Sequence, residues 1–333
     1  MRINEIVEII HGNLLNNPPL SHFENITTNL AKVQRGSLFI ATTPESAKEA
    51  ISLGAYGIVF EDGDMPMIDN EVAWIRVDLL QDAITRFIRH KLLIQQIQLI
   101  FFEDIEFAIA KEIVDDERVA LISGGYADVL EVIQKAEIEK IITSNPKLLD
   151  LSLEYAQGSF VEHKPFKLIS YTLFDSKIYF DSQRYTLPLP SLFLEQLASV
   201  ITLTQAEGIT ISLSRFQSIP YFKPNFVDAR GNLCKYGQSG KVLIVEKDLE
   251  TFKKYSAYIL ANAKWAKTSL FVPQKYYEIF SSIPSCIQYE SENELLDLLK
   301  EEVFHFGMIL GFDESFIAQN FKEAQEGAGL FDD

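Results

Sequence analysis

Apolar and polar positions follow two rhythms along this chain, and the switches between them predict its elements. Near the start, Ile6, Ile9 and Ile10 recur on one face of "INEIVEII", which predicts an amphipathic helix over 3–10. Short, continuous apolar runs predict buried strands over 37–41, 57–60 and 73–77. Helical spacing predicts helices over 45–53 and 79–91. "EDGDMPMIDN", with Gly63, Pro66 and Asn70, breaks both rhythms and reads as a surface loop. Strands alternating with helices through short connections argue for a sheet covered by helices.

The alternation continues from about residue 95. "IQLIFF", "VALIS" and "KIITSN" predict further buried strands, each followed by a helical pattern, over 104–113, 127–136 and 146–156. "FKLISYTLFDSKIYFDSQRYTLPLP" changes to period-two alternation, which predicts two or three antiparallel strands closed by Pro188 and Pro190. A helix over 192–207 then stops at Gly208, a C′ glycine. Beyond Gly231, strand patterns at "KVLIVEKD", "KTSLFVP" and "FGMILGF" are separated by helical ones. One of these, "SENELLDLLKEE", opens with Ser291 as N-cap and Glu294 three positions on. The expected class is α/β, in three segments: 1–92, 93–230 and 231–333. The tail "AQEGAGLFDD" is expected to fray, with Leu330 and Phe331 as candidate anchors for a protein partner.

With 333 residues, 47% of them hydrophobic, the chain can bury sizeable cores. The formal net charge of -17 repels phosphate backbones and anionic lipid, so no nucleic-acid partner is expected. Cys234 and Cys286 are too few for a disulfide framework and fit a reducing cytoplasm. Glu5 and Glu8 interrupt what a secretory signal would keep apolar. The most apolar run, "LLIQQIQLIFF", holds three glutamines and is about half the length of a membrane span, so none is expected.

A phosphate loop needs glycine for close backbone approach, lysine for the outer phosphates and a hydroxyl for magnesium. Gly240-Lys241 is the sole Gly-Lys pair, but Lys235 stands in place of the first glycine and Val242 in place of the hydroxyl. That pair also precedes a strand instead of a helix. Ser123-Gly124-Gly125 has the strand–glycine–helix shape and is a weak anion-site candidate, although Asp128 already answers the helix dipole there. None of the five histidines pairs at ligand spacing with another histidine or a cysteine, so no metal and no cofactor is expected. Glu103, Asp104 and Glu106, like Asp115, Asp116 and Glu117, read as solvated helix ends and loops. No catalytic residue is assigned.

"TTNLAKVQRGSLFIA" places Lys32-Val33, Gly36, Leu38-Phe39 and Ala41 at a distinctive spacing, followed by "EAISLGAYGIVFE" and "WIRVDLLQDAITRFIR". This succession resembles the N-terminal domain of the Mur ligase family, most closely its D-alanyl-D-alanine-adding branch. The resemblance implies a three-domain α/β architecture, here with a shortened central domain, and a UDP-sugar site near Thr28, Lys32, Gly36 and Phe39. Lys32 is a candidate to pair with a diphosphate, and Gly36 would let the backbone approach; the other reading is that these residues only shape the strand entry. Asn29, Leu30 and Ala31 depart from the family's acidic–serine–arginine triplet, and its aspartate–glycine–histidine stretch is missing before Ala50. Farther on, "EDIEFAIAKEIV" stands where the family's phosphate loop would follow a strand, and Gly311-Phe312-Asp313 stands where it has lysine–glycine–serine. The expectation is a non-catalytic Mur-ligase-like protein with a binding or scaffolding role linked to peptidoglycan precursor synthesis. Its expected partners are the UDP-muramyl peptide or peptidoglycan-synthesis proteins. The alternative is an active ATP-dependent ligase joining UDP-MurNAc-tripeptide to D-Ala-D-Ala through an atypical nucleotide site.

Overall fold

A computed structural model describes residues 1–61, 63, 65–228 and 230–322; Leu330 and Phe331, the candidate tail anchors, lie outside them. The first sheet is built from β1 (Asn13–Leu14), β2 (Asn25–Thr27), β3 (Ser37–Ile40), β4 (Gly57–Glu61) and β5 (Ala73–Val77). Their order is β1-β5-β4-β3-β2, with β1 antiparallel to β5 and the rest parallel. Helices α1 (Ile3–Ile9), α2 (Pro44–Ser52) and α3 (Leu80–Gln95) accompany it. Successive side chains of a strand point to opposite faces, and here both faces are covered. Leu38, Ile40, Val59 and Ile75 join a core with Ile6 of α1 and Phe87 of α3, whereas Phe39, Ile58, Phe60 and Trp74 pack with Ala47 and Ala50 of α2. Burial on both sides is why these strands read as unbroken apolar runs. A Cβ on Gly57 would sit 2.6 Å from the Phe23 ring, so β4 can begin there only without a side chain.

The second sheet holds β6 (Gln98–Phe101), β7 (Val119–Ile122), β8 (Lys140–Thr143) and β9 (Tyr155–Gln157), all parallel, in the order β7-β8-β6-β9. Helix α4 (Asp104–Ile113) follows β6, and α5 (Tyr126–Val132) follows β7. The helix expected over 146–156 is replaced by a 3-10 turn, Pro146–Leu151, and then by β9. Asn145 caps that turn by accepting from the Lys147 amide, and the chain straightens to pair with β6. Helix α5 likewise stops short of the expected 136. Helix α6 (Leu194–Ala206) ends before Gly208, whose φ of 64° fits a C′ position.

Period-two alternation over 167–187 becomes an antiparallel meander of β10 (Lys167–Tyr171), β11 (Ser176–Phe180) and β12 (Gln183–Leu187). The last sheet comprises β13 (Asn225–Phe226), β14 (Val242–Glu246), β15 (Thr268–Pro273), β16 (Cys286–Tyr289) and β17 (Phe306–Leu310). Its order is β13-β14-β17-β15-β16, parallel except for β13. Helices α7 (Leu249–Asn262), α8 (Tyr277–Phe280), α9 (Glu292–Glu301) and α10 (Glu314–Asn320) connect or follow these strands. Ser291 caps α9 as expected, accepting from the Glu294 amide.

Two compact units result. Among the described residues, Met1–Pro165 and Glu195–Arg215 form the first, which contains both N-terminal sheets; Phe166–Leu194 and 216–322 form the second. The segment expected at 93–230 thus contributes to both. No helix among the described residues is long and apolar enough to cross a membrane.

Candidate functional site

A cleft of about 570 Å³ opens at the carboxyl ends of β2 and β3, the edge at which parallel α/β sheets bind ligands. Thr28 and Phe39 line it from the strands, Ser46 from the first turn of α2, and Gln81 from the first turn of α3. Thr42 and Ile40 complete its polar and apolar character, and no lining residue carries a charge.

Both helices that begin at this cleft have side chains on their leading amides. Thr43 and Ser46 form a reciprocal cap at α2, where Pro44 has no amide hydrogen to offer. At α3, the Leu80 amide donates to Glu61 Oε1 at 2.9 Å. Charge stabilisation of an anion by these helix ends is therefore partly satisfied from within.

Of the four UDP-sugar candidates, Thr28 and Phe39 meet at the cleft. Lys32 does not line it; its Nζ lies 3.2 Å from Glu131 Oε2. Glu131 also accepts from the buried Thr27 hydroxyl at 2.6 Å. Gly36 occupies the other end of β3, in a turn with φ of 91° that donates its amide to the Gly54 carbonyl. Nothing near Lys32 in the chain marks Glu131 as its partner, because that pairing depends on how α5 packs against β2.

The junction of β6 with α4 is where a strand leads directly into a helix in the second sheet. Glu103 is the N-cap of α4, and its amide donates to Glu106 Oε2 at 3.1 Å. Glu106 was expected to be solvated, but it is buried, with 9% of its surface exposed. A Cβ on Gly158 would fall 2.5 Å from Glu106 Oε2, so the glycine leaves room for this carboxylate. An acidic side chain thus supplies the anion that the helix start favours.

The same device recurs at Ser123-Gly124-Gly125. Asp128 Oδ2 accepts from the Gly125 amide at 2.9 Å, and a Cβ on Gly124 would overlap that oxygen at 1.8 Å. Asp116 also departs from simple solvation: its carboxylate accepts from Arg118 Nη2 at 2.8 Å and from the Thr210 amide at 3.1 Å. Lys241, of the Gly-Lys pair, donates to the Leu299 carbonyl at 2.6 Å and lies over the Phe304 ring. Burial lowers its pKa. Among the described residues no cluster of His, Cys, Asp and Glu is arranged to hold a metal.

The chain superimposes on MurF from Acinetobacter baumannii with a TM-score of 0.59 at 9% identity, covering 96% of this chain and 98% of that one. It superimposes on the MurF ligase from Thermotoga maritima in complex with ADP with a TM-score of 0.54 at 12% identity, covering 89% and 95%. The fold is that of the Mur ligases. The sequence matches no family model and no curated protein. The Mur-ligase-like likeness therefore lies in the course of the chain. It spans both units, including the segments whose residues depart from the family's motifs.

Proposed function

We propose that this Mur-ligase-like protein acts by binding, without catalysis, in peptidoglycan precursor synthesis. The carrying observation is the buried Glu106 carboxylate at the start of α4. Phosphate binding after a strand relies on open backbone amides at a helix start, helped by lysine. Here an acidic residue bonds the leading amide, and Glu103 and Asp104 add negative charge beside it. A nucleoside triphosphate at that position would meet like charge and an amide already in use.

The ligand of the binding role is a UDP-muramyl peptide, held in the cleft of Thr28 and Phe39. A cleft without charged lining residues suits the uncharged uridine and sugar portions better than the diphosphate. Calorimetric titration of the full chain with UDP-N-acetylmuramyl tripeptide and with Mg-ATP tests both halves of the reading. Binding of the UDP-sugar with no heat from Mg-ATP is expected. A low-micromolar dissociation constant for Mg-ATP would instead favour the active amide ligase, and silence toward the UDP-sugar would remove the cleft's role.

A further inference from the structure

We propose that the β10–β12 meander binds an acidic, extended segment of another protein by strand addition at β10. The three strands carry Lys167, Lys177 and Arg184 and no carboxylate, within a chain of net charge -17. Their register brings Lys167, Tyr179 and Arg184 into one row across the sheet and Ser170, Lys177 and Thr186 into the second row beyond it, with the β10 register shifted at Ile169 between them. Ser176 and Ile178 of β11 are buried, so the alternating Lys177 and Tyr179 stand on the opposite, exposed face. The connecting turns hold Asp175, whose carboxylate accepts from the Tyr236 hydroxyl at 2.6 Å, and Asp181.

Strand β10 is the edge. Among the described residues it pairs only with β11, and all of Lys167–Tyr171 is exposed. An antiparallel edge strand leaves alternate N–H and C=O groups unpaired, and on either side of the irregularity at Ile169 these form a template for another strand. Ile169, 48% exposed, and Tyr179, 44% exposed, offer apolar surface between the cations.

These features select one class of partner. Only a polypeptide can continue the ladder, because nucleic acid has no backbone groups at strand spacing. The overall negative charge also opposes a long polyanion, while a short acidic segment meets mainly the local cations. A second copy would bring Lys167, Lys177 and Arg184 of two chains onto one continuous sheet, like charge near like charge. The complementary partner carries carboxylates and β-branched residues in alternation.

This inference is independent of the cleft and its ligand. A fluorescent peptide of alternating Glu and Val, titrated into the full chain, tests it by anisotropy. Binding is expected to weaken as salt rises. It is also expected to fall by roughly tenfold or more in the K167E/K177E/R184E variant, whose melting temperature reports that the fold is kept. Hydrogen exchange should slow over 167–171 when the peptide is bound. Three results would each overturn the proposal: unchanged affinity in the triple variant, equal binding of a peptide with its valines replaced by proline, or tighter binding of oligothymidine of equal charge.

Discussion

The Thr27 hydroxyl donates to the Glu131 carboxylate at 2.6 Å, joining residues 104 positions apart. Thr27 is fully buried, at the end of β2. Glu131 lies on α5, which follows a strand of the other sheet in the same unit.

Glu131→Ala removes the charged acceptor and leaves the hydroxyl only the Asn29 carbonyl, at 3.4 Å, to donate to. A loss of about 1–3 kcal/mol is expected from urea denaturation. Lys32 contacts the same carboxylate but is more than half exposed, so Lys32→Ala alone costs about 0–1 kcal/mol. Equal losses in the two variants would assign the stabilisation to charge instead of to the buried hydrogen bond.

Glu106 and Gly158 form a second testable pair. Gly158→Ala would push the Glu106 carboxylate off the Glu103 amide, since the nearest atoms to the new Cβ belong to that flexible side chain. The expected cost is about 1 kcal/mol, that of a lost N-terminal cap. In a Glu106→Ala background the same glycine substitution should cost close to nothing. A double-mutant cycle reads this coupling, and additive losses would contradict it.

Stability should respond to pH through two carboxylates with opposite shifts. Burial raises the Glu246 pKa, against a smaller lowering by the Asp248 amide. Its contribution is full below the ordinary glutamate range and is lost as pH rises through the folded value. Glu246→Gln should therefore raise the melting temperature at neutral pH and leave it little changed in acid. Asp116 behaves oppositely. The hydrogen bond from Arg118 holds its carboxyl well below the usual range, against the upward pull of burial. That contribution is present above the ordinary aspartate range and disappears as pH falls toward the folded value. Asp116→Asn should remove this part of the acid sensitivity.

The hairpin between β11 and β12 turns on Asp181 and Ser182, with φ of 43° and 62°. Positive φ at both central residues is the type I′ arrangement, whose twist matches that of the flanking strands. Ser182→Val would force a β-branched side chain into the left-handed region and cost about 1–2 kcal/mol. Ser182→Gly should be neutral or stabilising by about 0.5 kcal/mol, after the added freedom of glycine in the unfolded chain is counted. Thermal melts of the two variants should move in different directions or differ sharply in size.

Much of this fold was legible because burial on both faces leaves an unbroken apolar signature. Ser37–Ile40 and Ala73–Val77 show it plainly. Asn25–Thr27 and Tyr155–Gln157 do not. Strands so short lack a period of their own, and β3 and β6 recruit them through backbone pairing. Helix α10 was hidden for a related reason, since its buried Phe316 and Ile317 lie in too short a segment to establish a helical stripe. At the cleft, Thr28 and Phe39 come together through parallel pairing of adjacent strands, a pairing no period in the sequence announced; the family resemblance alone put the two residues at one site. Lys32 was legible as a cation but not as a partner of Glu131, because tertiary packing supplied that neighbour. Glu106 looked like surface because its sequence neighbours are acidic; Gly158, far along the chain, makes room for it.

Both compact units are discontinuous, and this constrains how the chain can be made. The chain leaves the first unit after Pro165, completes the meander, and returns at Glu195 for α6 and the following segment. Val114 and Ile211 then form an antiparallel bridge, and the Ser159 amide donates to Ser199 Oγ. During synthesis the N-terminal sheets must therefore wait, with this part uncovered, until the ribosome has passed Arg215. A nascent chain released at Pro165 has every strand of its two sheets but lacks the helix with the buried Leu197, Val200 and Ile201. Its folding is completed from a distance, by residues translated after a visit to another unit.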